Sequence, residues 1–321
     1  MRGRCSPMFR TAALLALAAC PAPRGPAPAR PAEVQGVATG WTGADSMQRP
    51  MVRTWPLMGT VLQVSAWDAD TARVLAAMEA ARAAAYRTDS AFSPEIAAWN
   101  AAGRDTAFAL SAAAMQLVDF YRSVTSSSGR ALEADLGGMA KGVALDRALT
   151  ALRTGGVRSG VIDLGGTFTV LGNAPVGPRW SMALENPFHP GEVFAALQLD
   201  SGAVATWGDA ADPRTSRPGR TVVSVSVISS GAFLSVALSR AFSALGPEAG
   251  CRLAAHYPGV DVVWVREPGA AEREEAERDA DDGVDPELVV ITDALADRLE
   301  LLSEEPTDER PTRCSMLVRR Q

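Results

Sequence analysis

Asp135-Leu-Gly-Gly-Met-Ala-Lys-Gly142 places an acid, a glycine pair and a lysine within eight residues. The residues that follow decide how it is read. Val143, Ala144, Leu145, Ala148 and Leu152 recur at helical spacing, and Gly155-Gly156 ends the run. Asp135 is a natural cap for such a helix. A glycine-rich turn at a helix start can set backbone N–H groups and the positive helix end against a phosphate. Lys141 would add a full positive charge there. The stretch is not a Walker A loop, because its second glycine is not followed by Lys and Ser or Thr, and it is not G-x-G-x-x-G. By shape alone such a turn is more often an ordinary helix start than a phosphate site. Both readings stay open on these residues.

Outward from this helix, strands and helices are mixed. Ser159 to Leu164 and Thr167 to Gly172 read as strands joined by Gly165-Gly166. Trp180 to Leu184 and Val193 to Leu199 read as two more, connected through Asn186–Gly191, and Val222 to Ile228 is a β-branched strand. Ala232 to Leu245 carries one apolar stripe, closed by Gly246-Pro247. Val260 to Val265 is a strand; Val289 to Ile291 and Ala294 to Leu302 predict a last strand and a short helix. Upstream, Trp55 to Trp67 alternates as one strand, and Thr71 to Arg87 and Ser111 to Val124 are helical, the second followed by a turn at Thr125 to Arg130. Glu272 to Asp285 is a charge-dense insertion, read as a solvated loop. The fold class is α+β, with helices packed on a mainly antiparallel or mixed sheet.

Composition narrows the function. The chain has 321 residues, 47% hydrophobic, 21% charged, with a formal net charge of −6, which is ordinary globular material. No basic face interleaved with aromatics points to nucleic acid. Two histidines, His189 and His256, are too few for a His-rich metal site. Cys5 and Cys20 lie near the start, leaving Cys251 and Cys314 in the body with no CxxC pair. A Cys251–Cys314 disulfide is open to them in an oxidising compartment.

Residues 1–20 read as a leader. Arg2, Arg4 and Arg10 precede the apolar run Ala12 to Ala19, too short to span a bilayer. Leu17-Ala18-Ala19-Cys20 resembles the bacterial lipobox, whose cysteine is lipidated; Ala16-Leu17-Ala18 also fits an ordinary secretory cleavage site. The lipobox reading makes Cys20 the anchor and places the protein in the bacterial cell envelope, on the periplasmic side, held to a membrane. Residues 21–50 are then a Pro/Ala-rich tether, 51–303 the folded domain and 304–321 a C-terminal tail.

Asp135 to Arg147 (DLGGMAKGVALDR) resembles the signature of the ApbE-type flavin transferases, the FAD:protein FMN transferases. Further segments follow the family's order: Leu57-Met-Gly-Thr60, Phe92-Ser-Pro-Glu-Ile96 with Trp99-Asn100, Val161-Ile-Asp-Leu-Gly-Gly166 and Trp180 to Pro187 (WSMALENP). Ala203-Val-Ala-Thr206, Asp212-Pro-Arg-Thr215 and Val222 to Gly246 with Pro247-Glu248 complete the series. The resemblance implies an ApbE-like fold and a reaction. Such enzymes cleave the FAD pyrophosphate and transfer FMN to a Thr or Ser hydroxyl of a target, here a flavin-accepting redox protein. Negative charge on the pyrophosphate must be neutralised. The family uses Mg²⁺, held by a carbonyl of the glycine turn and by an Asp and a Thr one helical turn apart. Carried over, Gly138 supplies the carbonyl, Asp135 and Lys141 contact FAD, and Met58 and Phe92 lie against the flavin. Core packing is the competing role for Met58 and Phe92.

The same alignment puts Val236 at the family's Asp position and Arg240 at its Thr position. Valine has no oxygen, and arginine has only donors and a permanent charge. Ser235 and Ser239 carry oxygens but lie about 100° around the helix. Gly129 is followed almost at once by Asp135, where the family has a longer segment. Thr206-Trp-Gly-Asp209 runs into Asp212 without the family's histidine, and Ser216 stands for its final glycine. Three readings remain: an active flavin transferase, a non-catalytic flavin-binding lipoprotein of the same fold, and a structural or partner-binding lipoprotein.

Overall fold

The structure is a computed structural model that describes residues 49–102, 111–128, 136–189, 191–208, 222–267, 288–302 and 312–314. All fall in one compact unit, Val34–Gln321. The leader with Cys20, the tether, Asp135, the segment 209–221 and the charge-dense insertion lie outside the described residues.

The alternating stretch Trp55 to Trp67 is not one strand but parts of two, β1 (Met51–Leu57) and β2 (Thr60–Trp67). They pair antiparallel with Leu57 opposite Thr60. The fold-back falls at Met58 and Gly59, whose φ values of 48° and 74° are both positive. Two-residue hairpin turns of this kind match the natural strand twist. Alternation alone does not reveal such a turn when a methionine occupies its first position.

Helix α1 (Thr71–Ala102) outruns its alanine-rich start and continues through Pro94. Glu95 Oε2 accepts the Ser111 backbone N–H and hydroxyl at 3.2 and 2.8 Å, tying the second half of α1 to the start of α2 (Ala112–Ser128). Helix α3 (Leu136–Thr154) ends at Gly155-Gly156, as its spacing predicts. Strands β3 (Ser159–Leu164) and β4 (Thr167–Leu171) turn through Gly165 and Gly166, with φ of 62° and 83°.

Strands β5 (Trp180–Glu185) and β6 (Val193–Leu199) follow as expected. Strand β7 (Gly202–Trp207) carries a weak β signal, since two of its residues are alanines, but it is buried on both faces over Gly202–Ala205. After β8 (Val222–Ser229), α4 (Ala232–Ala254) is interrupted at Gly246, φ 72°. The first helix does end at Gly246-Pro247, and Pro247 then opens a second. Strands β9 (Asp261–Arg266) and β10 (Leu288–Ile291) complete the expected set. Residues 294–302 are not a helix, correcting the expectation. A single 3₁₀ turn (Asp293–Leu295) leads into β11 (Leu299–Leu301), which pairs with Ala195–Leu197 of β6. Three residues beside a waiting strand edge outweigh local helix propensity.

Nine strands form one sheet in the order β1-β2-β3-β4-β7-β8-β9-β10-β12, where β12 is Thr312–Arg313. All its pairings are antiparallel except β10–β12. One face receives α1, α3 and α4. Leu62, Val64, Ile162 and Leu164 meet Met78, Leu145 and Leu152, and Val225, Val262 and Trp264 meet Leu238 and Phe242. The other face receives the three-stranded sheet β11-β6-β5, with Val161, Val204 and Val263 against Trp180, Met182 and Leu197. Cys251 on α4 and Cys314 beyond β12 are disulfide-bonded, their Cα atoms 5.8 Å apart across 63 positions of sequence. A loop of that length contributes about 4 kcal/mol in the chain-entropy account.

Candidate functional site

Strand register brings two tight turns and the end of β7 to one edge of the large sheet. Leu62 lies opposite Leu164, so the Met58–Gly59 and Gly165–Gly166 turns are neighbours. A Cβ on Gly165 would come within 2.9 Å of the Thr60 side chain. Thr167 lies opposite Ala205, so Thr206 and Trp207 run out to the same edge. Gly208 closes it with φ 106°, and a Cβ there would fall 2.2 Å from the Val223 carbonyl oxygen. Only glycine fits that approach.

Met58 is the one non-glycine residue with positive φ among the described residues. Such strain persists only when surrounding structure imposes it, and it gathers at functional sites. Tyr86 on α1 donates from its hydroxyl to the Pro56 carbonyl at 2.5 Å and holds the hairpin in place. Met58 packs with Phe92 and with Leu136, Met139 and Ala140 of the first turns of α3, so two residues far apart in sequence meet the signature helix in one cluster. Phe92 is 2% exposed, and the Arg147 guanidinium lies 5.9 Å from its ring centroid. Gly137, Gly138 and Lys141 are partly exposed at the start of α3.

The signature motif also has a role that its sequence did not disclose. A Cβ on Gly142 would lie 2.6 Å from the Phe233 Cα, so this glycine lets α4 start directly against α3. One turn on, Asp146 accepts the Ala232 and Phe233 N–H groups at 2.7 and 3.0 Å, capping α4 from a neighbouring helix. Burial pushes the Asp146 carboxyl above its usual range, while these two N–H groups pull it back. The signal available in the sequence was the four-residue spacing of Gly142 and Asp146 on one helix side.

Positions 233, 236, 237 and 240 share one side of α4 by spacing. Phe233 and Ala237 of that side pack on the Leu136–Ala140 cluster. Arg240 places its guanidinium 5.5 Å from the centroid of Trp207, the aromatic at the end of β7. Ser235 is fully buried and its hydroxyl lies 2.8 Å from that of Ser229; Ser239 donates to the Val236 carbonyl at 2.8 Å. Their oxygens are thus engaged within the fold. Among the described residues no group of three or more His, Cys, Asp or Glu gathers to hold a metal.

Asp163, inside the Val161–Gly166 segment, was not singled out in the sequence. Its Oδ1 accepts the Gly166 N–H at 2.9 Å. Burial nevertheless raises its pKa to about 6, the N–H only partly offsetting it. The edge therefore presents a strained methionine, a helix start with a lysine, and an arginine stacked on tryptophan. That set suits a planar aromatic ligand with an anionic tail.

A model of the ApbE family matches residues 59–264. Over 188 residues the chain is 35% identical to a FAD:protein FMN transferase of Rhodobacter capsulatus, covering 53% of this chain and 36% of the relative. It is 28% identical over 150 residues to a FAD:protein FMN transferase of Klebsiella pneumoniae (strain 342), covering 42% of this chain and 46% of that one. The chain thus spans less than half the length of these curated relatives. The apo crystal structure of Pseudomonas stutzeri flavinyl transferase ApbE superposes with a TM-score of 0.54 at 19% identity, over 69% of this chain and 92% of that one. At that identity the likeness establishes the fold. With the family match spanning well over half its length, the chain belongs to the ApbE family.

Proposed function

We propose that this chain binds a flavin nucleotide, FAD in the first instance, at the sheet edge described above, and does so without Mg²⁺-dependent transfer of FMN. The observation that carries this is the Arg240 guanidinium stacked on Trp207, one turn along α4 from Val236. Neither residue suits a hard divalent cation, which needs oxygen ligands. By the family alignment Gly138 would offer a carbonyl, but a single carbonyl is a poor Mg²⁺ site. Arg240 supplies a single permanent charge, enough to pair with a pyrophosphate and too little to stabilise its cleavage as a divalent ion does. Lys141 and the α3 start add charge and N–H donors, and Met58 offers the flavin ring an apolar edge. Phe92 takes part from beneath, through the cluster it shares with Met58.

A second reading, FAD:protein FMN transfer to a Thr or Ser of a flavin-accepting redox protein, is supported by the named activity of the relatives. Both readings place the domain in the bacterial envelope, held by a lipid on Cys20. The Cys251–Cys314 disulfide supports an oxidising compartment.

One experiment separates them. The chain is titrated with FAD with and without Mg²⁺, then incubated with FAD, Mg²⁺ and a Thr-containing acceptor domain whose intact mass is measured. The expected result is FAD binding that Mg²⁺ does not change, and an acceptor of unaltered mass. A Mg²⁺-dependent gain of one FMN would establish the second reading against the first. No binding at millimolar FAD would leave only a structural or partner-binding role.

A further inference from the structure

On the far side of α3 from Lys141, α1 and α3 enclose an open groove of about 990 Å³. The two helices run antiparallel here. A Cβ on Gly155 would meet that of Ala77 at one end, and Arg147 donates to the Thr88 hydroxyl at 3.1 Å near the other. The α1 wall carries Ala76, Ala80 and Ala84 at four-residue intervals. The α3 wall carries Val143, Arg147, Thr150 and Thr154, alternately four and three residues apart, and Phe233 also lines it. Ala76 and Ala80 are exposed, so the apolar floor faces outward.

Charge at this groove runs against the rest of the chain. The protein carries a net −6, yet Arg73, Arg87 and Arg147 rim the groove. The carboxylate that lines it, Asp146, gives both oxygens to the α4 cap. Arg73 is bridged to Asp68 at 2.6 Å and to Asp70 at 3.9 Å but remains 45% exposed, whereas Arg87 makes no ion pair among the described residues and carries the larger uncompensated charge of the two. Arg73 and Arg87 are 14 positions apart on one helix, about 21 Å.

We infer that this groove receives an acidic amphipathic helix of about four turns from a partner protein. An open furrow between two antiparallel helices fits a rod. Alanines at four-residue spacing let a third helix approach closely. Arginines at both ends select carboxylates about 21 Å apart, fixing orientation and speeding encounter. A membrane surface fits less well, because the apolar residues lie at the floor of a furrow and not on a ridge. The inference does not rest on the flavin reading.

The test uses the full chain and two fluorescein-labelled synthetic helices of about 16 residues, with the same Leu/Ala face and either Glu or Lys at both ends. Anisotropy titrations are made with wild type, Ala80→Trp, which fills the floor, and Arg87→Glu. Far-UV circular dichroism and urea unfolding check that both variants stay folded. The expected outcome is salt-sensitive binding of the Glu helix alone, weakened at least about tenfold by each variant. Equal binding of the Lys helix, or Glu-helix binding unchanged in Ala80→Trp, overturns the inference. So does binding to anionic phospholipid vesicles that Arg87→Glu abolishes while neither helix binds.

Discussion

The first turn of α4 is fixed from outside the helix, by Gly142 and Asp146 of α3, whereas its second and third turns bring side chains of their own to the sheet edge, Val236 and Arg240. The first region is geometry: a missing Cβ and two oxygens aimed at two N–H groups. The second is chemistry, and it differs from the pattern the family resemblance implies. How two helices meet and what one of them carries a turn later are thus separable properties. The same signature that suggests a phosphate site also serves as a helix joint, so its presence speaks for the fold more firmly than for the reaction.

Substitution of Gly142 should break the comparison outright. The nearest atoms to an added Cβ are backbone atoms of Phe233 and Ala232, which cannot swing away. Gly142→Val is expected to cost about 4 kcal/mol, read as a fall in the urea midpoint, with flavin binding lost alongside. A variant within about 1 kcal/mol of wild type would mean that α4 is positioned by something else. Asp146→Ala strips the cap and should cost about 2 kcal/mol in the same measurement, since two N–H groups lose their partner.

A third change isolates the sheet edge. Asp163 sits above its ordinary 3.8, at about 6, so its neutral form is favoured in the folded protein. Its contribution is whole below pH 3.8, declines as pH rises toward 6, and is constant beyond. Asp163→Asn should therefore match wild type at pH 3.5 and exceed it at pH 7.5, by up to about 3 kcal/mol if the whole shift is realised, by thermal or urea unfolding. The opposite sign would show the carboxylate to be stabilised by a partner.

The smallest effect on stability is expected where the effect on chemistry is greatest. Val236→Asp with Arg240→Thr should move the urea midpoint by less than about 1 kcal/mol, since both side chains are only partly buried and the exchange spares the core. The double variant should acquire Mg²⁺ affinity measurable by calorimetry, and wild type is expected to show none. If wild type already binds Mg²⁺ as tightly, the contrast between the two regions of α4 disappears.

The sequence carried the frame well wherever one signal was unambiguous. The stripe of α4, the glycine pair between β3 and β4 and the end of α3 at Gly155 were all legible, because glycine positions and helical spacing act locally. Three features were not. The β1–β2 turn hid behind Met58, since a methionine with positive φ leaves no local mark. Leu299–Leu301 is a strand only because β6 is beside it. Trp207 became interesting only when the register of β7 and the course of α4 brought Arg240 over its ring. Met58, Phe92 and the α3 start were named from resemblance, and the structure gathers them into one cluster. Asp163 and Asp146 were missed because a carboxylate's environment is set by elements distant in sequence.

The disulfide has a consequence for the chain's own continuity. Cys251 and Cys314 bracket the whole passage from the end of α4 to β12. A protease that cuts once anywhere between them leaves two pieces on one covalent bridge, which should migrate as an intact molecule until a reductant is added. Through any such cut β12 stays covalently tied to α4 by the Cys251–Cys314 bridge.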